Sequence, residues 1–179
     1  MVLNQEKLRE LIKDGLITDY VDLDRQLQPA GFDLTLRDVY EYRQEGRVDF
    51  DNSQRRIAKT KKLKPDNEDW YFLSPGSYKI LINETITLPN DVVALSRTRS
   101  TLLRNGAFVE TGVGDPGYKG KYQCLLVVRN PHGIHIKKYS RIIQVVFVST
   151  AETIPYDGIF MEEGENVKPE KVIKPDDTE

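Results

Sequence analysis

The chain has 179 residues and a mass of 20.6 kDa, a size that suits one domain and leaves little room for a second. Hydrophobic residues make up 39% and charged residues 30%, so we expect an apolar core beneath a polar surface rather than a disordered chain. A single cysteine, Cys124, and two histidines exclude a disulfide framework and a zinc site built from several such ligands. We recognise neither a signal peptide nor a membrane-spanning run, and therefore expect a cytoplasmic protein with no membrane partner.

The balance of charge argues against a nucleic-acid partner. The formal net charge is −2, from 26 Lys and Arg against 28 Asp and Glu. Proteins that bind duplexes usually carry a basic excess, because their affinity comes from neutralising phosphates. Any phosphate binding must therefore come from a local cluster, which favours a small phosphorylated ligand over a polymer.

The first predicted element is a helix over residues 4–17, where apolar side chains recur at helical spacing. Asn4 is placed to cap its N-terminus and Gly15 to mark its end. The apolar face consists of Leu8, Leu11, Ile12 and Leu16.

The pattern beyond this helix is that of β-structure. Short alternating or β-branched runs are separated by Pro, Gly and Asn: Phe32–Leu36, Tyr78–Ile82, Glu84–Leu88 and Val92–Leu95. Two longer apolar runs, Tyr122–Val128 and Ile142–Val148, are expected to be buried on both faces. No βαβ alternation is present, so the chain is predicted to be mainly β, with a closed or sandwiched architecture.

Two segments differ from this pattern. Residues 46–70 are densely charged and are expected to form an exposed hairpin or a long loop. From Glu162 the chain is acidic and nearly devoid of large apolar residues. We therefore expect one domain over residues 1–160 and a flexible C-terminal tail at 161–179, which either stays disordered or folds over a ligand or a neighbouring subunit.

The segment from Arg97 to Gly106 concentrates three guanidinium groups and several hydroxyls. Ser100 is a plausible N-cap of a short helix, so free backbone N–H groups would point the same way as the Arg99 side chain. A helix N-terminus with arginine and hydroxyl donors suits a polyphosphate. A surface turn with solvated arginines is equally compatible with this pattern.

The segment from Gly112 to Gly120 contains four glycines and a proline in nine residues. This composition predicts a tight hairpin whose backbone can approach a ligand closely. Asp115 and Tyr118 are its chemically useful side chains. Asp-Pro-Gly is also an ordinary turn, so the spacing matters more: the arginine-rich segment lies about ten residues earlier, which suggests one nucleotide held between the two.

A third candidate is Gln144, which interrupts the apolar run Ile142–Val148. A glutamine in such a strand needs a hydrogen-bond partner. A ligand or a backbone group would serve equally well.

Taken in order, several segments resemble motifs of the dUTPase and dCTP deaminase superfamily. The resemblance covers roughly residues 1–160, and each motif is weak alone while five in series are not. The matching segments are Pro29–Leu36, Leu73–Asp91, Arg99–Gly106, Gly114–Gly120 and Arg141–Gln144.

The resemblance implies a distorted β-barrel or jelly-roll subunit with a short N-terminal helix. It also implies a homotrimer with three active sites at subunit interfaces, and a deoxynucleoside triphosphate substrate whose Mg²⁺ is bound mainly through the triphosphate. Diphosphatases of the superfamily use the hairpin aspartate to activate water for attack on the α-phosphate. Its deaminases use a glutamate on the following strand, without zinc.

The position of the deaminase glutamate decides between the branches. It corresponds to Leu125, or to Val127 if a two-residue bulge is allowed, and residues 121–130 contain no carboxylate. Glu110 is the nearest candidate, but it precedes the hairpin. We therefore predict dUTP hydrolysis to dUMP and pyrophosphate. A dCTP deaminase or bifunctional enzyme is the alternative, and a non-catalytic deoxynucleotide-binding regulator ranks lower.

The resemblance also assigns roles to residues. Asp115 would polarise the attacking water, Tyr118 would pack on the deoxyribose, and the backbone of Gly112, Val113 and Gly114 would read the uracil edge. The residues expected to hold phosphate oxygens are Arg99, Ser100, Thr101, Arg104 and Gln144. For Asp33 we expect a structural hydrogen bond. Residues 155–163 lack the arginine with which many superfamily members close the site.

Overall fold

The N-terminal helix forms where the sequence predicts it but is shorter. The computed structural model describes residues 1–158 and residue 160, so the expected tail at 161–179 lies outside the described residues. Helix α1 spans Gln5–Lys13, and the Asn4 side chain caps it by accepting a hydrogen bond from the Lys7 backbone N–H at 3.0 Å. Gly15 ends it with a φ of +96°, a conformation that few residues other than glycine adopt.

The rest of the described chain is mainly β, as predicted. Two further short helices occur, α2 (Leu23–Gln26) and α3 (Ser100–Arg104). The strands are β1 (Ile17–Thr18), β2 (Leu27–Gln28), β3 (Gly31–Tyr42), β4 (Thr60–Lys62), β5 (Trp70–Leu73), β6 (Gly76–Thr87), β7 (Val92–Thr98), β8 (Ala107–Glu110), β9 (Lys119–Val128), β10 (Ile134–Lys137) and β11 (Arg141–Ser149).

One antiparallel sheet organises the molecule. Its strands follow the order β7-β11-β3-β6-β9-β8, with β1 added to β6 and with β2 and β4 added to β3. Strands β5 and β10 form a separate two-stranded sheet. The charged segment at 46–70 lies between β3 and β5 and carries only β4 and an isolated bridge between Arg47 and Arg56, which agrees with the predicted exposed hairpin.

The two ends of the sheet meet, which makes the architecture a barrel. Thr98 at the end of β7 uses its hydroxyl twice: Oγ1 accepts from the Val109 N–H at 2.8 Å and donates to the Val109 carbonyl at 2.9 Å. Further along β7, Ala94 and Gly114 exchange two backbone hydrogen bonds of 2.9 Å each. The predicted β-barrel is therefore confirmed.

The core fills the inside of this barrel, and the prediction that β9 and β11 are buried on both faces is wrong. On β9, buried Tyr122, Cys124 and Leu126 alternate with more exposed residues such as Gln123. On β11 the outward residues are half-buried. The described residues leave this outer face partly uncovered, so apolar side chains there remain partly accessible. The largest fully buried side chains are Phe32, Phe147, Leu8, Ile17, Leu34, Leu36, Leu73, Ile80, Ile82, Ile86, Leu126 and Ile142.

Strand β6 replaces two separately predicted strands, Tyr78–Ile82 and Glu84–Leu88. Its pairing with β9 shifts register between Leu81 and Thr85. Glu84 nevertheless keeps the normal alternation with Ile80, Ile82 and Ile86, so its charged side chain points inward and is fully buried.

Replacing Thr98 by valine should weaken barrel closure. The change keeps the shape but leaves the N–H and carbonyl of buried Val109 without their partner, so we expect a loss of about 1–3 kcal/mol in the free energy of unfolding. Urea denaturation measures it. Thr87→Val, at an exposed position that ends β6, is the control and should change stability by less than about 0.5 kcal/mol. Equal values for the two variants would contradict the proposed closure.

Candidate active site

A cavity of about 310 Å³ opens where β8 parts from β9. The two strands pair from Ala107 with Val128 to Glu110 with Leu125, and there the ladder ends. The chain after Glu110 crosses to β7 and returns through the predicted hairpin. The cavity lies in the resulting gap and is lined by residues 111–113, Asp115, Tyr118, residues 121–124, Tyr156 and Phe160.

The backbone of residues 111–113 faces this gap with unused hydrogen-bonding groups. Within the described part of the chain, these residues make no backbone hydrogen bond. Gly112 and Val113 are exposed. Gly114 differs from them, because its N–H and carbonyl are both bonded to Ala94. Of the three residues predicted to read a base, Gly112 and Val113 thus have free backbone groups, whereas the N–H and carbonyl of Gly114 are already bonded.

Aromatic rings form one side of the cavity. The Tyr118 ring packs between Tyr122 and Tyr156, with centroid distances of 5.4 and 5.8 Å. The backbone N–H of Tyr156 donates to the Pro116 carbonyl at 2.8 Å, which ties the C-terminal segment to the hairpin turn. Asp115 is exposed, and its carbonyl accepts the Tyr118 N–H at 3.1 Å to close the turn. The structure thus brings Asp115, Tyr118, Gly112 and Val113 around one cavity.

The floor of the cavity contains the lone cysteine. Cys124 is 5% exposed, and burial raises the pKa of its thiol to about 12. The thiol is therefore protonated at neutral pH and is a small apolar wall element rather than a nucleophile.

The arginine-rich segment forms α3, although Ser100 does not cap it. Arg99 occupies the N-cap position with an extended backbone and makes no side-chain cap, while Ser100 is already the first helical residue. The N-cap prediction for Ser100 is therefore wrong by one position. The side chains of Ser100, Thr101 and Arg104 are left exposed.

Asp33 holds two arginines behind this helix. The Asp33 carboxylate is 1% exposed and lies 3.0 Å from Arg99 Nε and 3.3 Å from an Arg141 terminal nitrogen. Burial raises the pKa of Asp33, and the two guanidinium groups act in the opposite direction. Arg99 also donates to the Arg141 carbonyl at 3.3 Å. Asp33 thus has the structural role expected of it, as an anchor for arginines rather than as a ligand.

Gln144 lies beside this anchor. On β11 it stands opposite Asp33 on one side and opposite Arg97 on the other, and its side chain is half-buried. Its side chain forms no hydrogen bond with a described residue, so the structure shows no backbone partner for it there.

The described residues do not join the two groups of predicted site residues. None of Arg99, Ser100, Thr101, Arg104 and Gln144 lines the cavity beside Asp115. Thr101 instead borders a second cavity of about 490 Å³ together with His135 and Arg141. The hairpin and α3 are therefore two separate groups, each a candidate half-site.

A family model described as dCTP deaminase-like matches residues 2–150. The chain belongs to the dCTP deaminase-like family. The resemblance read from the sequence is thereby confirmed.

Two relatives of this dCTP deaminase-like chain are named as deoxyuridine 5'-triphosphate nucleotidohydrolases. The chain is 46% identical over 168 residues to the "Probable deoxyuridine 5'-triphosphate nucleotidohydrolase" of Archaeoglobus fulgidus, covering 93% of this chain and 98% of that protein. It is 34% identical over 139 residues to the "Deoxyuridine 5'-triphosphate nucleotidohydrolase" of Methanocaldococcus jannaschii, covering 76% of this chain and 88% of that protein.

Among solved structures, the 2'-deoxycytidine 5'-triphosphate deaminase of Agrobacterium tumefaciens has a similar fold. The TM-score is 0.64 and the identity 23%, and the match covers 84% of this chain and 49% of that one. The chain thus spans about half the length of that deaminase chain. At this identity the similarity is one of fold.

The described residues contain no cluster of three or more His, Cys, Asp or Glu side chains that would hold a metal ion. No helix within the same residues has the length and apolar character to cross a membrane.

A buried polar network behind the half-site on α3 was not predicted. Glu84 accepts hydrogen bonds from Gln26 Nε2 at 2.8 Å, from the Thr35 N–H at 2.9 Å and from Thr35 Oγ1 at 2.7 Å. The same Gln26 amide donates to the Asp33 carbonyl at 2.8 Å, so the network supports the strand that carries Asp33. The one signal in the sequence was a glutamate within an otherwise β-branched run.

The titration of Glu84 should make stability fall as pH rises. Burial raises the pKa of Glu84, with the hydrogen bonds from Thr35 and Gln26 opposing the shift. The unfolded chain therefore loses this proton near pH 4.5 while the folded chain keeps it to higher pH. Relative to Glu84→Gln, the wild type should lose unfolding free energy from pH 4.5 up to the folded pKa, at up to about 1.4 kcal/mol per pH unit. Urea denaturation of both proteins across this range tests it, and parallel curves would contradict it.

Proposed function

We propose that the protein hydrolyses dUTP to dUMP and pyrophosphate. The observation that carries this proposal is the cavity between β8 and β9, with a free backbone edge at residues 111–113 and the Asp115 carboxylate at its rim. The names of the Archaeoglobus and Methanocaldococcus relatives support the same substrate.

The free edge suits a uracil. The base presents an acceptor, a donor and an acceptor along one edge, and an unpaired strand offers alternating N–H and carbonyl groups at matching spacing. Gly112 and Val113 supply these groups, and the absence of a side chain on Gly112 allows close approach. Cytosine presents an amino donor where uracil has a carbonyl, so this edge discriminates between them. Tyr118 packs on the deoxyribose.

The triphosphate is held by the half-site on α3. Arg99, Ser100, Thr101, Arg104 and Gln144 provide charged and neutral donors, and Asp33 fixes the orientation of Arg99. The residues present fit a Mg²⁺ that arrives on the triphosphate, since exposed donors and a single carboxylate suit a metal held mainly by phosphate oxygens. Bound there, the ion would neutralise charge on the leaving pyrophosphate.

Asp115 is the general base. Its carboxylate accepts a proton from a water molecule whose oxygen attacks the α-phosphorus. The bond between the α-phosphorus and the oxygen that bridges to the β-phosphate then breaks. Pyrophosphate leaves, and dUMP remains with the new oxygen.

The active sites are shared between subunits of a homotrimer in this proposal. The separation of Asp115 from α3 within one chain supports it, because a nucleotide that spans both half-sites needs a second copy of the chain. The partly exposed apolar outer face of β11 is also consistent with contact between subunits.

Deamination of dCTP is the second candidate, which the family and the fold of the Agrobacterium enzyme favour. Against it, neither Leu125 nor Val127 is a carboxylate. Glu110 stands directly opposite Leu125 in the ladder, so both side chains lie on one face of the sheet. Glu110 does not line the cavity, however.

The variant Asp115→Asn should lose pyrophosphate release while still binding dUTP. Loss of a general base typically costs about 10²–10⁴-fold in rate. Pyrophosphate and ammonia are measured in parallel with dUTP and dCTP, and binding by calorimetry. The control is Glu110→Gln, which should retain pyrophosphate release from dUTP.

Near-normal turnover of Asp115→Asn would remove Asp115 from the mechanism. Ammonia from dCTP that disappears in Glu110→Gln would establish the deaminase alternative. Tight dUTP binding by the wild type without pyrophosphate would indicate a regulator instead.

Mixing two inactive variants should restore activity if sites are shared. An Asp115→Asn chain refolded together with an Arg99→Ala chain gives mixed trimers in which some sites combine two intact half-sites. We expect pyrophosphate release clearly above that of either parent. Arg104→Ala is a second partner variant, because Arg104 is exposed and lies outside the ion pairs of Asp33. Activity no higher than in the parents, or a monomer in sedimentation, would overturn the shared site.

A further inference from the structure

Gly114 is a glycine for reasons of space. Its φ lies outside the left-handed region, so any residue could adopt its backbone conformation. A Cβ at this position would overlap the hydroxyl oxygen of Tyr122, and would lie 2.9 Å from Cβ of Ala94 and 3.1 Å from Cδ1 of Leu88. The Tyr122 hydroxyl therefore occupies the volume that a side chain at 114 would need.

Gly114 is also one of two points at which the hairpin is attached to the barrel. Its N–H and carbonyl bind Ala94 on β7, and the next residue is Asp115. On the other side of Asp115, the Gly117 N–H donates to the Leu88 carbonyl and the Tyr118 carbonyl accepts from the Leu88 N–H. The distance between Gly114 and β7 therefore helps to set the position of the Asp115 backbone, which is held from both sides.

Tyr122 contacts this attachment from the inner side. Its side chain is 8% exposed, and its hydroxyl has no hydrogen-bond partner among the described residues. Its ring packs on Tyr118 with centroids 5.4 Å apart. One side chain therefore contacts both ends of the segment that holds Asp115, from Gly114 to Tyr118.

The hydroxyl makes no contribution as a hydrogen-bonding group in the described structure. A buried hydroxyl without a partner is unfavourable, and a phenylalanine would avoid that cost. The Tyr122 hydroxyl contacts Gly114 by van der Waals packing alone, on the side of the α-carbon where a Cβ would project.

We propose that Tyr122 is a positioning residue for Asp115, and that its phenol and the missing side chain of Gly114 form a matched pair that fixes the hairpin against β7. The inference rests on the proposed role of Asp115 in dUTP hydrolysis. Tyr122 also lines the cavity, but in this proposal it contacts no reacting atom, and its effect on Asp115 is transmitted through the position of the hairpin. A displacement of about 1 Å at a reacting group can cost about 10²-fold in rate. A change in either residue of the pair is therefore expected to lower kcat.

The test is a pair of double-mutant cycles with pyrophosphate release from dUTP as the readout. Gly114→Ala should lower kcat by about 10- to 100-fold. Adding Tyr122→Phe removes the oxygen that overlaps the new methyl group most, while the approach to Ala94 Cβ at 2.9 Å remains, so it should recover about three- to tenfold of that loss. Calorimetric titration with a non-hydrolysable dUTP analogue should still give one site per chain, which separates a displaced Asp115 from a partly unfolded protein.

The second cycle uses the opposite change of volume and covers the case in which Gly114→Ala fails to fold. Tyr122→Leu leaves space beside Gly114 and should lower kcat by about tenfold. In that background Gly114→Ala refills the space and should raise kcat, so the same substitution changes the sign of its effect.

Two outcomes would overturn the pairing. One is a Gly114→Ala variant that turns over like the wild type; the other is a Gly114→Ala effect of the same size and sign whatever residue stands at 122. Absence of pyrophosphate release from the wild type itself would instead reject the proposed function, so the two failures are distinguishable.

Discussion

The hydrogen-bonded bridge between Ala94 and Gly114 is the constraint on which the site depends. A barrel closes only if the backbone groups of its last strand find partners on its first. Here β8 is too short to do this alone, so the chain leaves β9 after Glu110 and crosses to β7. That departure opens the gap and leaves residues 111–113 with unpaired backbone groups. The cavity is therefore a consequence of closing the barrel.

The other half-site depends on a buried charge. Asp33 is placed in a fully covered strand and is made tolerable there by Arg99 and Arg141. In return the carboxylate holds Arg99 in one orientation at the start of α3, where the N–H groups of Ser100 and Thr101 have no backbone acceptor among the described residues. The Glu84 network then supports the strand from behind through Gln26. Buried ionic and polar contacts thus fix the side chain of Arg99 at the start of α3.

The sequence predicted correctly those features that depend on neighbouring residues, such as helix ends and turns. Asn4 and Gly15 bound α1 because a side-chain cap and a left-handed glycine act within one turn of the helix. Asp115 and Tyr118 lie in the predicted hairpin because the turn chemistry of Asp-Pro-Gly is also local. The wrong predictions concern features that depend on residues far apart in the sequence. The burial of β9 depends on what covers its outer face. The continuity of β6 depends on Gln26 and Thr35, which supply the hydrogen bonds that Glu84 needs inside the barrel. The residues of the two candidate half-sites were predicted from motifs, but their separation in space could not be, because it follows from barrel topology.

The buried thiol gives the barrel an internal reporter. Cys124 is the one cysteine of the chain, and it sits under the hairpin on the strand that the hairpin leaves. A protonated, covered thiol reacts with a modifying reagent only when the structure around it opens. The labelling rate of the native protein therefore measures how often β9 and the hairpin separate. A bound nucleotide that bridges the gap would slow that rate, so occupancy of the cavity can be followed without any engineered label.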